Sequence, residues 1–255
     1  MTIEIEQFAC RSDNYGVLVH DPASGETVSI DAPEADPILA ALERRGWRLT
    51  HILVTHHHSD HTDGIDALKR AGEVTVIGPE AEASRIRGLD RTVRGGDTIE
   101  LCGDRVEVID VPGHTSGQVA YHFRGAGRAF AADVLFSLGC GRVFEGTMDE
   151  MHTSLQRLAA LPPETLIHCG HEYTASNAAF ALTVDPDNEA LRARADEVRR
   201  LRERNEPTLP VRLGDELETN PFLRPGAPAI RATLGMEDAS DAEVFAELRR
   251  RKDRA

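Results

Sequence analysis

Between Thr55 and Gly64 the chain reads THHHSDHTDG, which places His56, His58, Asp60 and His61 within six residues, directly after the apolar run Ile52-Leu53-Val54. Imidazole and carboxylate are the donors that borderline divalent cations such as zinc, iron and manganese accept, so the stretch reads as part of a metal site rather than as a polar loop. In an extended segment alternate side chains share a face, so His56 and His58 point the same way while His57 points elsewhere. Asp60 and His61 fall where the chain turns toward the helix-like IDALKR at 65–70, which brings a second pair of donors to the same cavity from a new angle.

Three further donors stand at the ends of expected strands. His114 follows the alternating run VEVIDV and a Pro-Gly turn, and His171 follows LIHC and a glycine. Asp133 lies within AFAADVLF, where a bare carboxylate is costly to bury without a cation or several hydrogen-bond donors. Taken singly, each reads as a structural residue, a cap or a turn. Taken together, five histidines and two aspartates exceed one tetrahedral shell and suit two cations with a shared carboxylate. Ligands of open α/β architectures collect outside strand ends, where these residues fall.

The elements that must position them are short β-type runs at 16–20, 27–31, 51–55, 74–77, 105–111, 118–123, 129–133 and 166–169, separated by Gly, Pro and Asp turns. Helical periodicity appears at 36–45, ending before a C-capping Gly46, and at 62–71 and 148–161. Interleaving with hairpin-like neighbours predicts an α/β fold with a mixed sheet. After about residue 172 the character changes. EALRARADEVRRLRERN at 189–205 and the segment 241–251 are charged amphipathic helices, separated by a connector containing Pro207, Pro210, Pro221, Pro225 and Pro228. The expected organisation is a larger α/β domain over 1–172 and a small helical domain over 173–255.

The composition is that of a globular protein, 255 residues with 40% hydrophobic and 28% charged residues. A formal net charge of −14 argues against a broad nucleic-acid surface, which needs clustered Lys and Arg. Cys10, Cys102, Cys140 and Cys169 form no C-x-x-C pair and fit free thiols in a reducing compartment. The start MTIEIEQFACRSDNYG lacks the basic and apolar regions of a signal peptide, and no run approaches the roughly 18 apolar residues of a membrane span. The expectation is a cytoplasmic protein, monomeric by default, with no nucleic-acid or membrane partner.

THHHSDHTDG, then VPGHTSG at 111–117 and AADVLF at 131–136, resembles the binuclear hydrolase branch of the metallo-β-lactamase fold. GCGRVFEGT at 139–147, GHEYTASN at 170–177, NPFLR at 220–224 and the closing RRRKDR narrow the likeness to the glyoxalase II (hydroxyacylglutathione hydrolase) family. The resemblance runs from about Asn14 to the C-terminus. It implies an αββα sandwich with a C-terminal helical domain that helps bind glutathione. It also implies that His56, His58 and His114 hold one metal, that Asp60, His61 and His171 hold the other, and that Asp133 bridges them. Zinc is the first expectation for both ions, with iron or manganese as alternatives. Arg142, Phe144, Tyr173, Arg249 and Lys252 match the positions that grip the glutathione part. Arg142 and Phe144 replace a common Lys and Tyr, and Asp63 replaces a common Gly, placing an extra acid beside the motif.

The implied reaction is hydrolysis of an S-(2-hydroxyacyl)glutathione such as S-D-lactoylglutathione to glutathione and D-lactate, the second step of methylglyoxal detoxification. A hydroxide held between two cations is the expected nucleophile, with Asp60 helping to orient it. The leaving thiolate has a pKa of roughly 8.5 and needs no dedicated acid. Asp31 is a candidate partner for a ligand histidine. The rival readings are a lactonase, a persulfide dioxygenase or a β-lactamase of the same fold, a hydrolase using Cys169 or Cys140 with His171, and a non-enzymatic metal-binding module.

Overall fold

Successive side chains of most strands enter different apolar layers, which is why their sequences read as continuous hydrophobic runs. The computed structural model describes residues 3–255. Strands β1 (Glu4–Cys10), β2 (Asn14–His20), β3 (Thr27–Ile30), β4 (His51–Leu53), β5 (Thr75–Pro79) and β6 (Arg91–Val93) pair in that order. Pairing is antiparallel from β1 to β3 and parallel from β3 to β6, the mixed sheet expected. β7 (Thr98–Leu101), β8 (Asp104–Asp110), β9 (Val119–Phe123) and β10 (Arg128–Ala132) begin a second sheet. A small hairpin of β11 (Leu135–Phe136) and β12 (Gly139–Cys140) follows. β13 (Leu166–Cys169) and β14 (Val211–Arg212) then complete the second sheet in the order β14-β13-β10-β9-β8-β7.

The two sheets face each other. Val17, Val19, Leu53 and Ile77 of the first meet Val106, Val108, Tyr121, Phe123 and Phe130 of the second in one core. The residues between them in sequence, Leu18, Ile52 and Val76, turn to the opposite face and pack under α1 (Ala35–Arg45) and, past the short α2 (Ser59–Thr62), under α3 (Ile65–Ala71). Ala120, Ala129, Ala131 and Ile167 cover the outer face of the second sheet. Against them pack α4 (Met148–Ala159) and the region containing α5 (Thr174–Val184), α6 (Glu189–Glu203), α7 (Leu213–Thr219), α8 (Pro228–Leu234) and α9 (Asp241–Asp253). The layers are therefore α, β, β, α, followed by C-terminal helices that share the outer core of the second sheet through Phe180, Phe222, Phe245 and Leu248.

Several expectations need correction. The helix expected over 62–71 is two pieces, because Asp63 and Gly64 separate α2 from α3. A Cβ at residue 64 would sit 2.9 Å from the Ala32 carbonyl oxygen, so the break sits where two backbones touch. The proline-rich connector is structured, and carries β14, α7 and α8. β1, β6, β7 and α5 were not anticipated. The 129–133 strand stops at Ala132, whose φ of 39° turns the chain so that Asp133 leaves the sheet.

Candidate active site

The THHHSDH segment leaves β4 and crosses the ends of both sheets. His56 Nε2 and His114 Nε2 lie 3.1 and 3.0 Å from His58 Nδ1, so three ring nitrogens converge on one point. Their outward nitrogens are engaged elsewhere: His114 Nδ1–H donates to the Arg142 carbonyl at 2.9 Å, and His56 Nδ1 meets Thr55 Oγ1 at 3.0 Å. That arrangement leaves the lone pairs of His56 and His114 facing inward.

A second group stands beside it. His61 Nε2 is 3.6 Å from Asp60 Oδ2, and His171 Nε2 is 3.3 Å from the same oxygen. His61 Nδ1–H donates to Asp31 at 2.7 Å and His171 Nδ1–H to Asp13 at 2.8 Å. Asp133 lies between the groups, 3.4 Å from His61, 3.6 Å from His114 and 3.2 Å from His171. In each of the triads His56/His58/His114, Asp60/His61/His171 and His56/His61/Asp133 the donor atoms lie within 4.8 Å of one another. His61 Nε2 and Asp133 Oδ1 are buried with no hydrogen-bond partner. Buried polar atoms rarely stay unpaired, and these two point into the cluster, so the donor set fits divalent cations.

The electrostatics agree. Burial drives the His56 ring well below its ordinary pKa and so favours a neutral ring. At His61 burial acts the same way but is overcome by Asp133 and Asp31, which raise it. His171 is likewise raised, to about 10, because Asp133 and Asp60 outweigh its burial. Asp133 is held well below the carboxylate range, its burial outweighed by His61 and His171. The cluster carries negative charge that only protons or cations can offset.

Two glycines make the crowding possible. A Cβ on Gly170 would sit 2.5 Å from Asp133 Oδ1, and one on Gly141 would sit 1.8 Å from the Asp133 carbonyl oxygen.

The cluster floors a cleft of about 540 Å³ whose walls include all five residues expected around glutathione. Phe144, 62% exposed, sets its ring edge-on to His58 and His114. Tyr173 stacks on His171 with ring centroids 4.8 Å apart. Arg142 is solvent-facing, and Lys252 donates to the Ser176 carbonyl at 2.9 Å. Arg249 is 3% exposed, and its guanidinium donates to the Cys140 carbonyl at 2.6 Å and to Asp253.

Residues 12–171 match the metallo-beta-lactamase superfamily, and residues 172–255 match the family described as hydroxyacylglutathione hydrolase C-terminus. A protein from Mesorhizobium japonicum named hydroxyacylglutathione hydrolase is 59% identical over 99% of both chains, and one of the same name from Brucella ovis is 56% identical over 98% of both. The chain belongs to the hydroxyacylglutathione hydrolase family. Among solved structures, this family member resembles ETHE1 from Myxococcus xanthus with a TM-score of 0.69 and 25% identity, over 98% of this chain and 90% of that one. It resembles the BLEG-1 B3 metallo-beta-lactamase with a TM-score of 0.66 and 20% identity over 87% and 100%, a likeness of fold.

Set against the sequence of this hydroxyacylglutathione hydrolase family member, Asp31 does contact a cluster histidine. Asp63 does not add a free charge beside the cluster, because its carboxylate pairs with Arg11 at 2.6 Å. Cys140 and Cys169 are buried, and burial pushes the Cys140 thiol up to about 11. Sequence reasoning missed Asp13, Asn14 and Glu82. Asn14 donates to Asp60 Oδ2 at 3.2 Å and bridges to His171 across the sheets. Nothing local marks these three; only NYG before an apolar run hinted at a turn. Among the described residues no helix is long and apolar enough to cross a membrane.

Proposed function

We propose that the protein is a binuclear metal-dependent thioester hydrolase that cleaves S-(2-hydroxyacyl)glutathione, S-D-lactoylglutathione foremost, to glutathione and a 2-hydroxy acid. The observation that carries this reading is a cluster of seven convergent donor side chains, five of which line one cleft with a basic and aromatic wall. His56, His58 and His114 would hold one cation and Asp60, His61 and His171 the other, with Asp133 shared. When bound, such a pair of cations supplies a water nucleophile usable at neutral pH and polarises the thioester carbonyl. Imidazole-rich donor sets of this size favour zinc, with iron and manganese as the alternatives to be separated by metal analysis.

The chain's own residues do the rest. Asp60, its carboxylate fixed by Asn14, is placed to accept a hydrogen bond from the attacking water. The protein is acidic overall, so Arg142 and Lys252 must supply the local positive field for the two carboxylates of glutathione. Phe144 and Tyr173 flank the reacting end. The departing thiolate leaves unaided because its pKa lies near roughly 8.5. We read residues 1–172 as the catalytic part and 173–255 as the part that completes the glutathione wall, in a cytoplasmic monomer.

The test is hydrolysis of S-D-lactoylglutathione by purified protein, with metal content measured on the same sample and a chelated control. Chelator-sensitive turnover with close to two metals per chain is expected. Two bound metals without turnover would move the assignment to lactones and other esters, and few metals under replete conditions would remove the metal site.

A further inference from the structure

His57, the one histidine of the THHHSDH motif to which the family resemblance assigns no metal, sits between two carboxylates. Its backbone N–H and its Nδ1–H both donate to Glu82 Oε2 at 2.7 Å, and Nε2 faces Glu145 Oε1 at 3.5 Å. Glu82, fully buried in the turn after β5, also accepts from Gly117 N at 2.9 Å and from the Thr115 hydroxyl. Glu145 is gripped by Arg85 at 2.7 and 3.0 Å and accepts from Ser116 N at 3.0 Å. Glu145 directly follows Phe144, whose N–H bonds the His114 carbonyl at 3.3 Å, and Arg142 lies three residues before it.

We infer that His57 is a positioning residue: through Glu82 and Glu145 it locks the Arg142–Phe144 segment at a fixed height over the metal cluster, setting affinity for the glutathione part of the substrate. Two chains of contact, one through each glutamate, meet on one imidazole. One runs to the loops bearing His56, His58 and His114, the other to the segment that walls the cleft. A mobile wall would cost the substrate ordering entropy on binding, whereas a latched one is preorganised. The inference rests on the thioesterase reading for its kinetic arm but not for its structural arm.

The experiment compares wild type with His57→Asn and with Arg85→Ala, the latter removing only a surface grip on Glu145. For S-D-lactoylglutathione the Michaelis constant should rise three- to tenfold in both variants, with turnover at saturation within twofold and metal content unchanged. Hydrogen exchange of peptides covering 142–147 should speed up at least tenfold, while peptides covering 55–61 keep their protection. Unchanged exchange at 142–147 in the His57 variant would overturn the latch whatever the substrate proves to be and whatever Arg85→Ala does. So would a parallel fall in turnover, metal content and melting temperature, the pattern of a merely structural histidine. If His57→Asn does not fold, His57→Gln with the same exchange and kinetic readouts decides. Wild-type protein inert toward the thioester would refute the proposed function while leaving the exchange arm to judge the latch.

Discussion

At the scale of single residues, the cluster was legible because histidine is an uncommon residue: His56, His58 and His61 stood with Asp60 in one motif after an apolar run, and His114, His171 and the apolar-flanked Asp133 stood at strand ends. Their partners were not. Asp13, Asn14 and Glu82 are ordinary turn and surface types whose roles exist only once distant loops meet, so local pattern carries no trace of them. Asp31 was readable only as an acid after a short strand; its 2.7 Å contact with His61 now makes a measurable claim. Asp31→Asn should weaken metal retention about 10- to 100-fold in a chelator competition, because His61 loses the charge that fixes its tautomer and orientation. A residue-scale claim also separates the mechanism from cysteine catalysis. Burial disfavours the Cys140 thiolate, whose pKa is raised to about 11, and pushes Cys169 up as well. Iodoacetamide at pH 8 should therefore leave the activity of the native enzyme intact, with alkylation accelerating only as the pH approaches 11. Inactivation at pH 8 in step with label on either cysteine would contradict this.

At the scale of elements, strands with two buried faces and amphipathic α1, α4 and α6 announced themselves by period. α5 did not, because the face of TASNAAFALTV that is left to solvent carries Ala175, Ser176, Ala179 and Thr183, small and uncharged residues that mark no helical repeat. The NPFLR motif turns out to be a clamp. Asn220 Nδ2 donates to the Phe136 and Gly139 carbonyls and to Glu216, while its Oδ1 caps Phe222. Asn220→Ala strands two buried carbonyls at about 1–3 kcal/mol each, so the urea midpoint should fall by an amount equivalent to about 2–6 kcal/mol. The hairpin it holds presents the Cys140 and Gly141 carbonyls to Arg249. For that reason Arg249 is a poor probe of substrate contact, and Lys252, tied to the Ser176 carbonyl alone among main-chain groups, a better one. Lys252→Ala should raise the Michaelis constant about 5- to 20-fold with little change in saturated turnover, the loss of one charge-assisted contact. Arg249→Ala should in addition lower the melting temperature, and equal melting temperatures would show the Arg249 contacts to be dispensable.

At the scale of the whole molecule, the inter-sheet core is apolar except along the edge where His168 lies, 2% exposed and stacked on Phe130. Burial, reinforced by Arg128, holds its pKa down to about 3. The unfolded chain takes up this proton near 6.5 and the folded chain does not, so the stabilisation is complete above about 6.5 and is lost progressively as the pH falls toward 3. The ceiling is about 5 kcal/mol at about 1.4 kcal/mol per tenfold in proton binding. His168→Asn should flatten the fall in urea midpoint between pH 7.5 and 4.5 relative to wild type; parallel curves would place the acid sensitivity elsewhere. Finally, the cluster draws Asp13 from the turn after β1, Asn14 from the start of β2 and His171 from beyond β13, with α9 contributing to the wall of the cleft. A ribosome delivers these parts in order. The residues of the His56/His58/His114 triad are all made before Asp133 and His171, so the Asp60/His61/His171 triad is the later of the two to be completed. A chain ending before β13 therefore lacks His171 and leaves the Asp60/His61/His171 triad one donor short.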